Sequence, residues 1–394
     1  MNVLVTAGSY CFTDHLSYGE GLQAQAVVRA LSSHGVRVHV LSPNFALKRP
    51  IPGLMMTRVG RYSNLTSSDL LWGPFNFAIS SYIRTKTLLK TEDFDVIHHM
   101  FPVSYPRTLS FVLLDPSLKS RYKMIVGPCP MPPESHSNRV VERAMNRSLG
   151  GLFAKTMQNA DVVLVQNRSA EFLYSTIVNP EKIRVVPLGV DTQRFTPKVR
   201  LLDEASPEIL TVGNLIPSRG VAYLIEAIGI VAMTHPNIIL HVIGDGPERS
   251  RLLLLRDKMK LSENVLFHGR MANSELPAWY QRCSVFCLPS IAESFGVVLL
   301  EAMAAGAAVV ATRTVGSNEI IDDERTGLLV EPADVPSLAN GINRVLGDSS
   351  LRTALGIAAR ASCVRRFDLH SVVKRYLEVY QELTSQQVGP THYE

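Results

Sequence analysis

The sequence predicts two α/β domains, each a doubly wound parallel sheet of Rossmann-like type. Three observations predict it. At 394 residues the chain exceeds one ordinary core, and two domains of roughly 150–200 residues each follow. Short apolar runs alternate with amphipathic segments throughout, the pattern of strand–helix–strand units. Charge divides with the halves: residues 1–200 carry 23 Lys and Arg against 13 Asp and Glu, giving +10, and residues 201–394 carry 17 against 22, giving −5. The split suits a first domain that meets something anionic.

The elements follow in order. Val3–Ala7 reads as a strand, and Gly19 to Ser33 as a helix with Leu22, Ala26, Val27, Ala30 and Leu31 on one face. Strands follow at Val36–Ser42, Asp95–His98, Tyr122–Val126, Val162–Gln166 and Ile183–Pro187. Thr196 to Pro207, with two prolines and no apolar periodicity, reads as the linker. The second half repeats the scheme. Strands are expected at Ile209–Gly213, Ile238–Ile243, Val265–Phe267, Val285–Leu288 and Ala308–Ala311. Helices are expected at Val221–Met233, Arg249–Lys260, Leu276–Gln281 and after Gly296, and a last one near Ser371–Glu382. The expected domains are 1–195 and 208–368, with 369–394 packing back toward the first. Each sheet offers a ligand crevice at the carboxyl ends of its strands.

Composition excludes several classes. The chain is 46% hydrophobic and 19% charged, which is globular rather than disordered. Its N-terminus lacks the basic and apolar regions of a signal peptide, and the most apolar stretch, Val297 to Ala311, is too short for a membrane span and contains Glu301. The five cysteines fit reduced, buried thiols in a cytoplasmic protein; the close pair Cys283 and Cys287 has no second cluster with which to complete a metal site. Basic and aromatic residues do not interleave as in a nucleic-acid surface.

The most informative stretch is Glu293 to Gly306, E-S-F-G-V-V-L-L-E-A-M-A-A-G. Two carboxylates in so apolar a segment are costly unless something binds them. A loop carboxylate, a helix start at Gly296 and a second carboxylate two turns on suit a ligand with hydroxyls at both ends and an anion between. A nucleotide-sugar is such a ligand. Gly244-Asp245-Gly246 after a strand looks like a dinucleotide fingerprint, but Arg249 stands where the third glycine belongs, so a dehydrogenase is not expected.

An ordered series of motifs joins this stretch: V-G-N-L-I-P-S-R-G at 212–220, I-G-D-G-P at 243–247, V-L-F-H-G at 265–269, L-P-S-I-A-E-S-F-G at 288–296, E-A-M-A-A-G at 301–306 and T-G-L-L-V at 326–330. The series resembles the donor domain of retaining glycosyltransferase family 4, of the GT-B fold. The first half resembles the family more loosely, through Gly19 with its helix and through Val186-Pro187-Leu188-Gly189-Val190-Asp191. The resemblance implies two Rossmann-like domains facing across a cleft, and a metal-independent transfer of a hexosyl unit from a nucleoside-diphosphate sugar to an acceptor hydroxyl. It implies no cofactor. Frequency alone favours a UDP-hexose.

The resemblance also implies roles. Arg219 and the amides of Gly296, Val297 and Val298 would bind the diphosphate; Asn214 replaces an arginine usual there, which removes one charge. Glu301 would accept from the ribose hydroxyls, and Glu293, with Ser294 and Phe295, would hold the transferring sugar. Gly213, Gly244 and Gly246 would allow close approach to the nucleotide, Arg270 and Met271 would contact the base, and Gly19 would approach the diphosphate. A histidine common in relatives is replaced by Gly127-Pro128. His98 and His99 are the nearest imidazoles at a strand end, and His98, which aligns with a recurrent family histidine, reads either as catalytic or as a residue with only a structural hydrogen bond. Basic and aromatic residues from Lys48 to Lys90, among them Arg49, Arg58, Arg61, Trp72, Phe75, Phe77, Arg84 and Lys86, read either as a solvated face or as a peripheral contact with anionic membrane. The rival readings are a non-catalytic subunit and a nucleotide-sugar epimerase.

Overall fold

Valine-rich runs build two parallel sheets, seen in a computed structural model that describes residues 1–7, 11–14, 19–60, 67–101, 110–130, 151–152, 154–197 and 206–385. The chain forms two units, Met1–Leu188 with Leu369–Glu394, and Gly189–Asp368.

The first unit contains β1 (Asn2–Ala7), β2 (Phe12–Thr13), β3 (Arg37–Ser42), β4 (Phe45–Ala46), β5 (Met55–Arg58), β6 (Val96–Met100), β7 (Lys123–Cys129), β8 (Val162–Val165) and β9 (Ile183–Val185). Its seven-stranded sheet has the order β5-β3-β1-β6-β7-β8-β9, and β2 pairs with β4 apart from it. The second unit contains β10 (Glu208–Val212), β11 (Ile239–Ile243), β12 (Val265–Gly269), β13 (Val285–Leu288), β14 (Ala308–Thr312) and β15 (Leu328–Val330), ordered β12-β11-β10-β13-β14-β15. Both sheets step outward from their first strand in one direction and then restart on its other side. That reversal is the switch point at which open α/β sheets bind ligands, between β1 and β6 in one unit and β10 and β13 in the other.

Strands covered on both faces must be apolar throughout. β8 and β14 are buried along their whole length, which explains why they read so plainly in the sequence. The expected strands are present with shifted ends; Asp95–His98 runs on to Met100, and Tyr122–Val126 to Cys129. β5 and β15 lie outside the expected set. β5 is an edge strand whose residues Met55, Met56 and Arg58 face solvent, so it makes no apolar run. Beyond β14 the structure adds helices at Val315–Ile320, Val335–Gly347 and Ser349–Phe367. Side chains of Thr314, Asp334 and Asp348 cap their starts, each accepting from an amide three residues on.

The last helix, Leu369–Ser385, buries Leu369, Val372, Val373, Tyr376, Val379, Tyr380 and Leu383 on one stripe within the first unit. Residues 189–195, which the sequence reading assigned to the first domain, bond instead into the second unit. Val190 donates to Phe367 O at 2.9 Å, and Thr192 Oγ1 to Asp368 Oδ1 at 2.5 Å. Residues 198–205 of the expected linker lie outside the described residues. Among the described residues no helix is long and apolar enough to cross a membrane.

Candidate active site

At the switch point of the second sheet, three strand-end loops are zipped together by backbone. Gly213 N donates to Ile243 O at 3.0 Å, Leu215 N to Asp245 O at 3.0 Å, and Gly244 N to Gly269 O at 2.8 Å. Gly244, at φ +140°, could not carry a side chain: a Cβ would sit 1.8 Å from Gly213 O, and one on Gly246 would sit 2.4 Å from Leu215 O. The close approach these glycines permit within the protein is loop on loop. Gly213 differs. A Cβ there meets nothing within 4 Å, so its backbone borders open space.

The Pro217–Arg219 turn presses on the end of β13. Gly220 follows at φ +64°, where a Cβ would lie 2.0 Å from Pro289 O, and Ile291 N donates to Ser218 O at 2.8 Å. This contact brings Arg219 against Glu293, and the guanidinium Nη1 pairs with Glu293 Oε2. Both partners keep some access to solvent, 30% for Arg219 and 10% for Glu293. A pocket beside them is bounded by Gly213, Asn214, Arg219 and Leu288.

Glu293 is fixed from behind. Gly316 N donates to its carbonyl at 2.8 Å, and Gly316 itself lies so near Phe295 that a Cβ would be 2.5 Å from that residue's carbonyl oxygen. Phe295 is buried edge-on against Phe367, with ring centroids 6.1 Å apart. Gly296, at φ +94°, opens the Val297–Ala304 helix, and no side chain caps it. Its leading amides, near half-buried Val297 and Val298, have no intrahelical acceptor and carry the positive end of the helix dipole, a fit for an anion. About one turn along, Glu301 is 7% exposed and accepts from Tyr280 Oη at 2.8 Å. Burial pushes its carboxyl up to about 7, against the opposing pull of the Tyr280 hydrogen bond and the Arg194 charge.

Past Gly269 at φ +71°, Arg270 is exposed and Met271 half-buried. Arg194 grips the loop they begin, bonding both the carbonyl and side chain of Asn273. The sequence reading gave Arg194 and Tyr280 no role. Tyr280 sits in a short helix where an aromatic reads as core, and nothing local marks its hydroxyl. Among the described residues no three His, Cys, Asp or Glu side chains form a metal set. Cys283 and Cys287 are buried, and burial pushes the Cys287 thiol up.

The first sheet's switch point is different. His98 is fully buried, with Nε2 donating to Gly127 O at 2.9 Å and Nδ1 accepting from Tyr380 Oη at 2.7 Å. Desolvation lowers its pKa from 6.5 to about 3. With both nitrogens committed, it ties the last helix to the sheet. His99 accepts from or donates to Thr6 Oγ1 at 2.8 Å, and burial lowers its pKa to about 4. Gly127 explains the missing family histidine: it sits at φ +123°, and a Cβ would be 2.3 Å from Leu164 O. No side chain fits there.

Gly19 opens the Gly19–Ser33 helix, but residues 15–18 before it lie outside the described residues. So does Arg61, together with the side chains of Trp72 and Phe75. Of the remaining basic and aromatic residues, Phe77 is buried, Lys86 pairs with Asp115 at 3.2 Å, and Arg84 and Lys90 are exposed.

Comparison with known proteins joins the two halves. Residues 19–194 match the profile of Glycosyltransferase Family 4, and residues 192–362 that of Glycosyl transferases group 1. The chain is 27% identical to a GDP-mannose-dependent alpha-(1-6)-phosphatidylinositol monomannoside mannosyltransferase of Mycolicibacterium smegmatis, over 66% of this chain and 78% of that one. Its fold is similar to that of a sucrose-phosphate synthase from Thermosynechococcus elongatus, with TM-score 0.78, 21% identity and coverage of 98% and 99%. It is also similar to an Anabaena protein solved with UDP-glucose, with TM-score 0.69, 17% identity and coverage of 97% and 100%. At such identities the structural likenesses speak for the fold alone. The chain belongs to the group 1, family 4 glycosyltransferases, and is a two-domain GT-B enzyme of the kind that uses nucleotide-sugars.

Proposed function

We propose that the chain moves a hexosyl unit from a nucleoside-diphosphate sugar to an acceptor hydroxyl, with retention at the anomeric carbon and without a metal ion. The observation that carries this reading is the meeting of Arg219, Glu293 and an uncapped helix start at one switch point. Arg219 and the amides of Gly296, Val297 and Val298 bind the diphosphate, where charge grows as the sugar leaves. Glu301 accepts from the ribose hydroxyls, and Arg270 and Met271 meet the base mainly through backbone. Glu293, with Ser294 and Phe295, orients the sugar and favours positive charge at its anomeric carbon. Before the donor arrives, Glu293 shares Arg219; the diphosphate takes Arg219 over and leaves the carboxylate for the sugar.

In the step itself the bond from the anomeric carbon to the diphosphate oxygen breaks. The acceptor oxygen bonds to that carbon from the same face, and its proton passes to the departing phosphate oxygen. The products are the glycoside and free nucleoside diphosphate. A UDP-hexose, which frequency alone favours, is one donor to try, and GDP-mannose, on which the Mycolicibacterium relative's name says that protein depends, is the other.

Incubation with UDP-, GDP- and ADP-sugars and a cell extract tests the reading. Nucleoside diphosphate released only with acceptor, a product of unchanged anomeric configuration and insensitivity to EDTA are expected. Inversion would overturn retention, and loss with EDTA would overturn metal independence. A new nucleotide-sugar would point to an epimerase, and binding without product to a silent subunit.

A second observation favours an acceptor at a membrane surface. Ile79 and Ile83, one helical turn apart in the first unit, are 48% and 60% exposed, and Arg84 and Lys90 are exposed near them. Salt-sensitive co-sedimentation with phosphatidylglycerol vesicles, weakened by Ile83→Asp, is expected. Equal binding to phosphatidylcholine vesicles would sink it.

A further inference from the structure

Glu301 is held in place by more than its own helix. Its carboxylate accepts from Tyr280, whose ring is fully buried between Phe195 and Phe286, with centroids 5.8 and 5.4 Å away. Phe195 belongs to the segment by which the chain enters the second unit. That segment is tied down by Arg360, whose Nη1 donates to Thr192 O at 2.9 Å, Phe195 O at 2.8 Å and Ala304 O at 2.6 Å. Ala304 ends the helix that carries Glu301. One guanidinium thus serves the helix's unpaired last turn and anchors the aromatic that braces Tyr280.

We propose that Tyr280 is the positioning residue for Glu301, aiming its carboxylate at the nucleotide's ribose, and that Phe195 and Arg360 hold Tyr280 in register. The proposal rests on the reading of Glu301 as the ribose-binding group. Tyr280 uses one carboxylate oxygen. A carboxylate offers about four lone-pair directions, so enough remain for two vicinal hydroxyls. Without the bond, the buried side chain could turn about its last torsion and lose that aim.

The same bond favours the ionised form of Glu301. The groups that face it or its brace are Tyr280 and Cys283 from the preceding helix, Arg194 from the entry segment, and Arg360 and Cys363 from the Ser349–Phe367 helix. Burial raises Glu301, Tyr280 and Arg194 oppose it, and the balance lies at about 7. Ionised carboxylate is the better acceptor for ribose hydroxyls, so affinity should rise with pH through that value. Removing the Tyr280 hydroxyl should move the rise to higher pH.

The test is calorimetric titration of the full chain with UDP, GDP and ADP, followed by the 2′,3′-dideoxy analogue of whichever binds, between pH 6 and 9. For Tyr280→Phe at pH 7, the preference for ribose over dideoxyribose should fall about tenfold, the worth of one buried hydrogen bond to a charged group. Dideoxy affinity should stay unchanged, and toward pH 9 only the part of the loss due to protonation should recover, leaving the part due to lost aim. Phe195→Leu, which keeps the hydroxyl but loosens the ring, should give a smaller loss of the same kind. Glu301→Gln should lose the preference at every pH. If Tyr280→Phe keeps the unmodified protein's preference and pH midpoint, or weakens both nucleotides equally, Tyr280 is packing only and the inference falls. If Glu301→Gln keeps the preference, the ribose reading itself fails and takes the inference with it.

Discussion

The two sheets share one strand order around their switch points, and the residues described there differ in kind. At the end of β10 and β13, Arg219 pairs with Glu293 in partly open surroundings, and buried Glu301 lies on the helix that starts just after. Beside β1, the described β6 residues His98 and His99 are buried imidazoles, both pushed below their ordinary pKa by desolvation. A fold supplies a crevice; only groups that remain charged and reachable turn it into a site for an anion. The second unit meets that condition among its described residues, and His98 does not.

The sharpest way to break the contrast is Glu293→Gln. If this carboxylate acts on the transferring sugar, turnover should fall by about 10²–10³, or roughly 3–4 kcal/mol of transition-state stabilisation. Affinity for nucleoside diphosphate should rise several-fold, because Arg219 no longer divides its charge between a carboxylate and the phosphates. Damage to the fold would weaken both. Full turnover in this variant, measured with saturating donor, would remove Glu293 from the chemistry.

Next in size is His98→Phe, whose effect should appear in stability rather than catalysis. It strands Gly127 O and the Tyr380 hydroxyl in a buried place, at about 3 kcal/mol in total. Denaturant unfolding should register that loss, with little change in kcat. A pH signature accompanies it. The folded pKa, about 3, lies below the ordinary 6.5, so the stability this neutral imidazole contributes is whole above pH 6.5 and drains away as pH falls toward 3. The variant should lose part of that acid sensitivity. A large fall in kcat at unchanged stability would restore the catalytic reading of His98.

These residues also mark how far a sequence can be read. β8 and β14 are legible because burial on both faces forces every position to be apolar, whereas β5 hides because its side chains face water. Glu293 and Glu301 stand out in the sequence because charge amid apolar residues needs a reason, and Arg219 because of the motif around it. His98 looked like a site because it is polar at a strand end. What commits it is Tyr380, 282 positions away, a partner that no local pattern announces. Gly244 and Gly246 were legible as places of close approach but not as to what approaches, since a loop and a ligand demand the same missing Cβ. Tyr280 was hidden in the opposite sense, a ring that packs as core while its hydroxyl serves Glu301.

Asn214→Arg sharpens the comparison at its weakest point. Asn214 is exposed beside Gly213, in the loop where the family resemblance calls for a second cation. An arginine there can reach phosphate oxygens without burying its charge, so the gain is that of a partly solvated ion pair, about 1 kcal/mol or roughly fivefold in affinity. The gain should shrink with added salt, as partly screened charges do. It should also be specific to the diphosphate, leaving nucleoside affinity untouched. Tighter nucleoside binding, or no change with either ligand, would mean that the diphosphate does not pass this loop, and that Arg219 holds its charge for Glu293 alone.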